Sequence, residues 1–375
     1  MDNFKTLLFI GKCLTLRKYP EKIQEIEAFI KSGIINWERV VFTGSRHLVL
    51  PALLVNLRES DLLHKIPDEI ADHLTLIYNL NLQRNTEIIE LANRITEALN
   101  RENIKPVFLK GVAYLLSDFY TDRGERMVGD IDFLVTLPEL ERSVEVLKKL
   151  GYNNNYKINT GNNRYIVHYP RLKNYNEVAA IEVHIRIAHC KYDRFIIYEN
   201  LFNEKEMLPG RGLAYNLSLK HRILHNIVHE YVHHRVYFWH NVSLRQCYDL
   251  YLMAQHIDAQ AAVDEIGHFP KNLNNYLAIT DYLFDFSLGL DYKKSLSGYL
   301  FKKRFRFLIR YHLKWFLDIL WVIRFVYLRF CRYVAVFFQL FYRRAVRKEV
   351  FTKLGSIEYL KKHLKLYTTV FKAYE

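Results

Sequence analysis

Apolar positions recur at helical spacing over the first hundred residues. Between Glu21 and Gly33 they fall at Ile23, Ile26, Ala28, Phe29 and Ile30. A second apolar stretch, Trp37 to Val55, is broken by Pro51, and Pro67 marks a helix start ahead of Ile70 and Ala71. Leu74 to Leu99 predicts a long helix interrupted by Asn79 and Asn81. The pattern then shortens. Pro106 to Leu109 predicts a short strand, and Val112 to Phe119 a helix that Gly111 allows to start tightly. A hydrophobic run ending at Val135 predicts a strand. Leu137 and Pro138 open a helix that runs to Leu150, where Gly151 stops it. Tyr165 to Tyr169 and Val178 to Ile187 read as two more strands joined by a polar turn around Lys173 to Asn176. From residue 210 to 295 the period is helical again.

This order predicts an α+β fold: a small mixed sheet with flanking helices, embedded between helical N- and C-terminal regions. The expected divisions are a helical region at 1–100, a catalytic core at 101–205, a helical domain at 206–295 and a basic, aromatic-rich helical tail at 296–375. Half of the residues are hydrophobic, enough for a sizeable core and against disorder.

The chemistry lies in the apolar strand. Asp130 and Asp132 alternate with Ile131, so both side chains point to one face, about 7 Å apart. Two carboxylates so close repel each other and resist desolvation. A divalent metal relieves both costs, and magnesium, which takes hard oxygen ligands, is the natural candidate. In Ala180 to Arg186, Glu182, His184 and Arg186 share one face against Ile181, Val183 and Ile185. If the two strands are neighbours, Glu182 joins the aspartates, and three carboxylates suffice for two ions. A lone Asp-x-Asp also occurs in solvated turns. Its place in an apolar strand, with Lys110 and Gly111 upstream, favours the metal. Backbone N–H groups after Gly111 suit phosphate oxygens, and Arg123 or Arg126 suits the role of triphosphate clamp.

Lys110-Gly111 before a helix, then Arg126, then Asp130-Ile131-Asp132, then Glu182-Val183-His184 resembles the bacterial family of uncharacterised nucleotidyltransferases (NTP_transf_5-like) within the polymerase-beta-like superfamily. The resemblance covers about residues 1–270, includes His221 to Leu250 with Asp249, and leaves the tail outside. It implies a transferase that moves a nucleoside monophosphate from a nucleoside triphosphate to a hydroxyl acceptor and releases pyrophosphate. In that scheme Asp130, Asp132 and Glu182 hold two Mg2+ ions and Glu182 orients or deprotonates the acceptor. Lys110, Gly111, Arg123, Arg126 and His184 lie on the nucleotide side. Better-known superfamily members carry Gly-Ser where this chain has Lys110-Gly111, so the lysine stands in for a serine contact as a point charge. The acceptor is left open among protein, RNA, sugar and small molecule. The alternatives are a non-catalytic binding protein of the same fold for RNA or a protein partner, and a membrane-associated enzyme of surface-polysaccharide assembly.

Several other patterns carry less. Cys13, Cys190, Cys247 and Cys331 have no ligand spacing, which argues against a zinc knuckle and a disulfide framework. His221, His225 and His229 recur every four residues, with His233 and His234 beyond. No Glu stands in the metalloprotease position between His221 and His225, and the histidines read as packing residues at an interface. Arg245 and Asp249 have the spacing of a helical ion pair. The opening segment reads as a helix, not a signal peptide, and the expected compartment is the cytoplasm. The net charge of +14 favours anionic partners. Within residues 301–348, Arg310, Lys314, Arg324, Arg329, Arg332, Arg343 and Arg347 fall in an arc of about 140° at 100° per residue. The longest uncharged run there, Tyr333 to Tyr342, has ten residues, short of a bilayer span. An anionic membrane surface at the inner face and a protein partner both suit such a stripe. Ser356 to Tyr374 reads as one more short basic helix.

Overall fold

The computed structural model describes residues 1–117, 119–154, 166–189, 192, 196–233, 242–265, 273–285, 290–311 and 313–342, with isolated positions up to 361. It comprises two compact units, Met1–Arg310 and Tyr311–Glu375. Cys190, His234, Tyr165 and all of Ser356 to Tyr374 except Lys361 lie outside the described residues.

The larger unit begins with five helices: α1 (Asn3–Cys13), α2 (Ile23–Lys31), α3 (Trp37–Arg46), α4 (Leu50–Glu59) and α5 (Asp68–Arg101). Asp2 and Asn36 cap α1 and α3, accepting 2.8 Å hydrogen bonds from the Lys5 and Arg39 backbone N–H groups. Pro51 sits in the first turn of α4, where its missing N–H costs nothing. The break before it falls at Leu48, which has φ +56°. Pro67 precedes α5 as expected. That helix runs unbroken for 34 residues, so Asn79 and Asn81 do not interrupt it.

The sheet follows. Its strands are β1 (Val107–Leu109), β2 (Asp130–Leu134), β3 (Ala180–His184), β4 (Glu206–Met207) and β5 (Tyr215–Asn216), in the order β3-β2-β1-β5-β4. β2 runs antiparallel to β1 and parallel to β3, and β1 is parallel to β5. The helices α6 (Lys110–Leu116), α7 (Leu140–Lys149) and α8 (Tyr198–Asn203) connect them. Gly151, at φ +86°, follows the end of α7. Isolated bridges pair His168 with His184 and Leu172 with Ile181, so the segment before β3 folds back along it.

Strand alternation sorts the two faces. Phe108, Ile131, Phe133, Ile181 and Val183 are buried against the C-terminal half of α5, α6 and α7. Val107, Leu109 and Leu134 point the other way, into a smaller cluster with Leu224 and Val228 of α9 (Leu219–His233). That second face carries the acidic residues of β2 and β3.

Four more helices complete this unit: α10 (Leu244–Met253), α11 (Ala259–Glu265), α12 (Asn274–Phe284) and α13 (Leu296–Arg310). They share one hydrophobic core with α1 to α4. The Phe4 ring lies 5.6 Å from Tyr282 and 6.4 Å from Phe305. Gly11 faces the Leu283 carbonyl so closely that a Cβ there would collide with backbone. The first and last helices of this unit therefore form a single layer of packing.

Glu230 of α9 is fully buried, and its Oε2 accepts a 3.4 Å contact from the Ser243 N–H. Burial pushes its carboxyl from 4.5 up to about 8. The folded state thus keeps a proton that the unfolded state loses, and stability falls as pH rises from 4.5 to about 8. Glu230→Gln is expected to stabilise the protein by on the order of 3 kcal/mol at pH 8 and to change nothing at pH 4. Thermal melts across that range check it.

The smaller unit contains α14 (Lys314–Tyr342), 29 residues long. The expectation that this region is too short for a bilayer span is corrected here. Val322–Tyr342 is long and apolar enough to cross a membrane by length and composition, and none of it is buried. The ten-residue run understated it because the arginines are confined to one side of the helix.

Candidate metal centre

The parallel register of β2 and β3 sets Asp132 directly beside Glu182. His184, two residues along β3, lies on the same face. The ligand atoms of Asp132, Glu182 and His184 lie within 4.8 Å of one another. No other such cluster occurs among the described residues, which include the side chains of His221, His225 and His229. His221 instead pairs with Ser218 Oγ at 2.8 Å, as a packing histidine does.

Lys110 closes the group. It is a non-glycine residue with φ +53°, a conformation that costs on the order of 1 kcal/mol. The left-handed residue at this turn is therefore the lysine and not Gly111. The turn directs the ammonium from the end of β1 toward β2, where Leu109 is in register with Asp132. Its Nζ donates to Asp132 Oδ1 at 2.6 Å and lies 4.0 Å from Glu182 Oε2. Gly111 has a different role: a Cβ on it would press into the Arg126 guanidinium and Val128.

His184 Nε2 is 2.9 Å from Asp132 Oδ1 and 3.6 Å from Glu182 Oε2. Its Nδ1 is 3.3 Å from the Arg186 carbonyl. Nε2 faces the carboxylates, and because a carboxylate only accepts, Nε2 donates the hydrogen bond to Asp132. The His168 ring lies 5.0 Å from the His184 ring. Burial alone would raise the Asp132 carboxyl, but the Lys110 charge and the His184 hydrogen bond outweigh burial and hold it below the carboxylate range. Contact with His184 likewise lowers Glu182. Both side chains are therefore anions at neutral pH.

Two carboxylate oxygens and one imidazole nitrogen, converging on a largely buried point, form a donor set that fits a divalent cation. The oxygens suit Mg2+ and Mn2+, and the nitrogen adds affinity for the latter. Asp130 lies at the rim. It pairs with Ala180 in register and forms an ion pair with the exposed Arg171.

The buried arginine of the polar loop goes elsewhere. Arg126 is 3% exposed and donates to Asp249 through Nε at 2.7 Å and Nη2 at 2.6 Å. Tyr120 donates to the same carboxylate at 2.5 Å. The Arg245–Asp249 pairing read from helical spacing is corrected: Asp249 takes Arg126, and Arg245 donates to the Met127 carbonyl at 2.8 Å. The Arg123 carbonyl accepts from Asn85 at 2.6 Å. Asn81 and Asn85 of α5 together donate to the carbonyls of Arg123, Gly124 and Arg126. Arg17, beyond α1, adds a 2.5 Å pair with buried Glu125. The loop is thus tied from three sides and forms a rigid floor under Gly111 and Lys110. Sequence reasoning missed Asn81, Asn85 and Arg17. The signal for the first two was available: two amides four residues apart on the apolar side of a helix require polar partners.

A mixed five-stranded sheet with this carboxylate pairing matches a nucleotidyltransferase-like fold. The family model for uncharacterised nucleotidyltransferases matches residues 34–268. The chain belongs to that family. The matched span runs from just before α3 to just beyond α11 and includes the whole sheet and the metal-compatible triad. It leaves out α1 and α2 at one end and α12 to α14 at the other. Neither a curated protein nor a solved structure matches the chain.

Proposed function

We propose that the protein transfers a nucleoside monophosphate from a nucleoside triphosphate to a hydroxyl acceptor, with release of pyrophosphate. The observation that carries this reading is the convergence of Asp132, Glu182 and His184 within 4.8 Å in a chain of this family. Bound divalent ions, Mg2+ or Mn2+, would supply charge neutralisation at the transferring phosphoryl group and acidify the attacking hydroxyl. Asp132, Glu182 and His184 would hold one ion. Asp130 would share a second with Asp132 in exchange for its surface pair with Arg171, a pair of little energetic weight.

Glu182 accepts the acceptor hydroxyl's hydrogen bond and orients its oxygen for attack. The hydroxyl oxygen bonds to the α-phosphorus as its proton passes to Glu182, and the bond to the bridging oxygen of the leaving pyrophosphate breaks. Lys110, fixed by its turn, balances negative charge on the phosphates as a point charge. The exposed apolar α14 favours a second form of this reading, in which the acceptor is presented at a membrane, as in surface-polymer assembly.

The test is incubation with each labelled nucleoside triphosphate, Mg2+ or Mn2+, and cell extract, with pyrophosphate release measured and the labelled product isolated. Label on one acceptor is the expected result. No pyrophosphate from any triphosphate with either metal would overturn the proposal. Glu182→Gln separates binding from chemistry. Metal-dependent triphosphate binding is expected to weaken much less than turnover, which falls at least about 100-fold.

A further inference from the structure

We infer that α14 is an in-plane docking helix for the anionic surface of a lipid bilayer. The inference rests on how charge and apolar area are divided around this one helix and is independent of the transfer chemistry.

At 100° per residue, Lys314, Asp318, Arg324, Arg329 and Arg332, all the charged residues of α14, fall in one sector of about 140°. The opposite side, about 220° wide, has none. Phe316, Ile319, Ile323, Phe330, Phe337 and Phe341 lie along its centre, within about 60° of one another. They are 47%, 48%, 59%, 64%, 56% and 70% exposed. The strip runs the length of a helix of about 43 Å, far beyond the isolated apolar positions usual on a soluble surface. Water is not its resting environment.

Charge selects the occupant. Residues 296–351 hold thirteen Lys and Arg against two acids, Asp318 and Glu349, a net +11 of the chain's +14. Arg324 and Arg329 border the two edges of the apolar side. In a pair of such helices packed face to face, these edges would bring arginine to arginine with no acidic partner, unlike the flanking charges that specify coiled coils. Phosphate-bearing headgroups meet both edges at once while acyl chains take the apolar side. The same division argues against spanning. Arg324, Arg329 and Arg332 are spread along the helix, so a transmembrane placement would draw their shared sector into hydrocarbon. Lying in the interface leaves that sector in the headgroup layer. Arg347 also donates to the Leu340 carbonyl at 2.8 Å.

The test uses the full chain, exchanged from mild detergent into vesicles and floated on a density gradient. Expected is co-flotation with phosphatidylglycerol-containing vesicles at low salt, at least about tenfold weaker association with pure phosphatidylcholine, and release at 0.5 M salt, on the order of the loss that screening imposes. Arg324→Glu and Arg329→Glu should each weaken association at least about tenfold, and Phe330→Ser with Phe337→Ser should abolish it. The melt of the larger unit serves as the folding control for each variant. Equal binding to neutral vesicles that survives high salt would overturn the inference in favour of a span. A stable dimer without lipid, together with no flotation, would overturn it in favour of a second copy.

Discussion

Asp132→Asn is expected to lower nucleotidyl transfer at least about 1,000-fold, the scale of losing a metal-held phosphoryl group. Asparagine keeps the shape and one acceptor oxygen but removes the charge on which Lys110 and His184 converge. Metal-dependent triphosphate binding should disappear with turnover. The fold should persist with a loss of about 1–3 kcal/mol, because Lys110 can turn toward solvent once its partner is neutral. The acid limb of the stability profile supplies an independent readout. A carboxyl held below 3.8 contributes stability that is present above that value and lost as pH falls through its folded titration. The variant should therefore lose less stability on acidification than the parent. Undiminished pyrophosphate release from a folded Asp132→Asn protein would remove the catalytic assignment.

Asp249→Ala should have the largest effect on stability. It leaves the Arg126 guanidinium, 3% exposed, without its carboxylate. Stranding a buried charge in this way costs about 3–5 kcal/mol, roughly a 10 °C fall in Tm for a unit of this size. Tyr120 loses its acceptor in the same step. Replacing both partners by apolar residues, as in Arg126→Met with Asp249→Leu, should recover much of the loss, because no buried charge then remains. The comparison also separates two roles for Arg126. A triphosphate clamp would show as lost nucleotide affinity at unchanged Tm, whereas a structural tie shows as lost Tm and a strong coupling energy between the two sites.

The strand pattern made half of the site legible. Alternation in β2 and β3 put Asp132, Glu182 and His184 on the faces they occupy, because period-two sequence fixes sidedness once a strand is half-buried. Alternation does not say which residues stand opposite each other. The register sets Asp132 beside Glu182 and Asp130 beside Ala180. Of two aspartates that look equivalent in sequence, one therefore reaches the cluster and the other meets Arg171. The Arg126–Asp249 tie joins residues 123 positions apart, and no local spacing encodes it. The i, i+4 spacing of Arg245 and Asp249 pointed to a nearer partner, but a helix surface rewards such a pair by only a few tenths of a kcal/mol. A bidentate buried guanidinium outweighs it. Counting uncharged residues in series misjudged α14 for a related reason. Its arginines interrupt the sequence but not the apolar side of the cylinder.

The core that α1 to α4 share with α10, α12 and α13 has a consequence during synthesis. Phe4, Ile10 and Leu14 leave the ribosome long before Tyr276, Leu283 and Phe305, the side chains that finally cover them. At about 5–20 residues per second, the opening helices wait on the order of 15–60 s with their sticky faces uncovered. A nascent chain of this design depends on chaperone shelter through most of its translation, and a ribosome stalled within the sheet would release an aggregation-prone fragment.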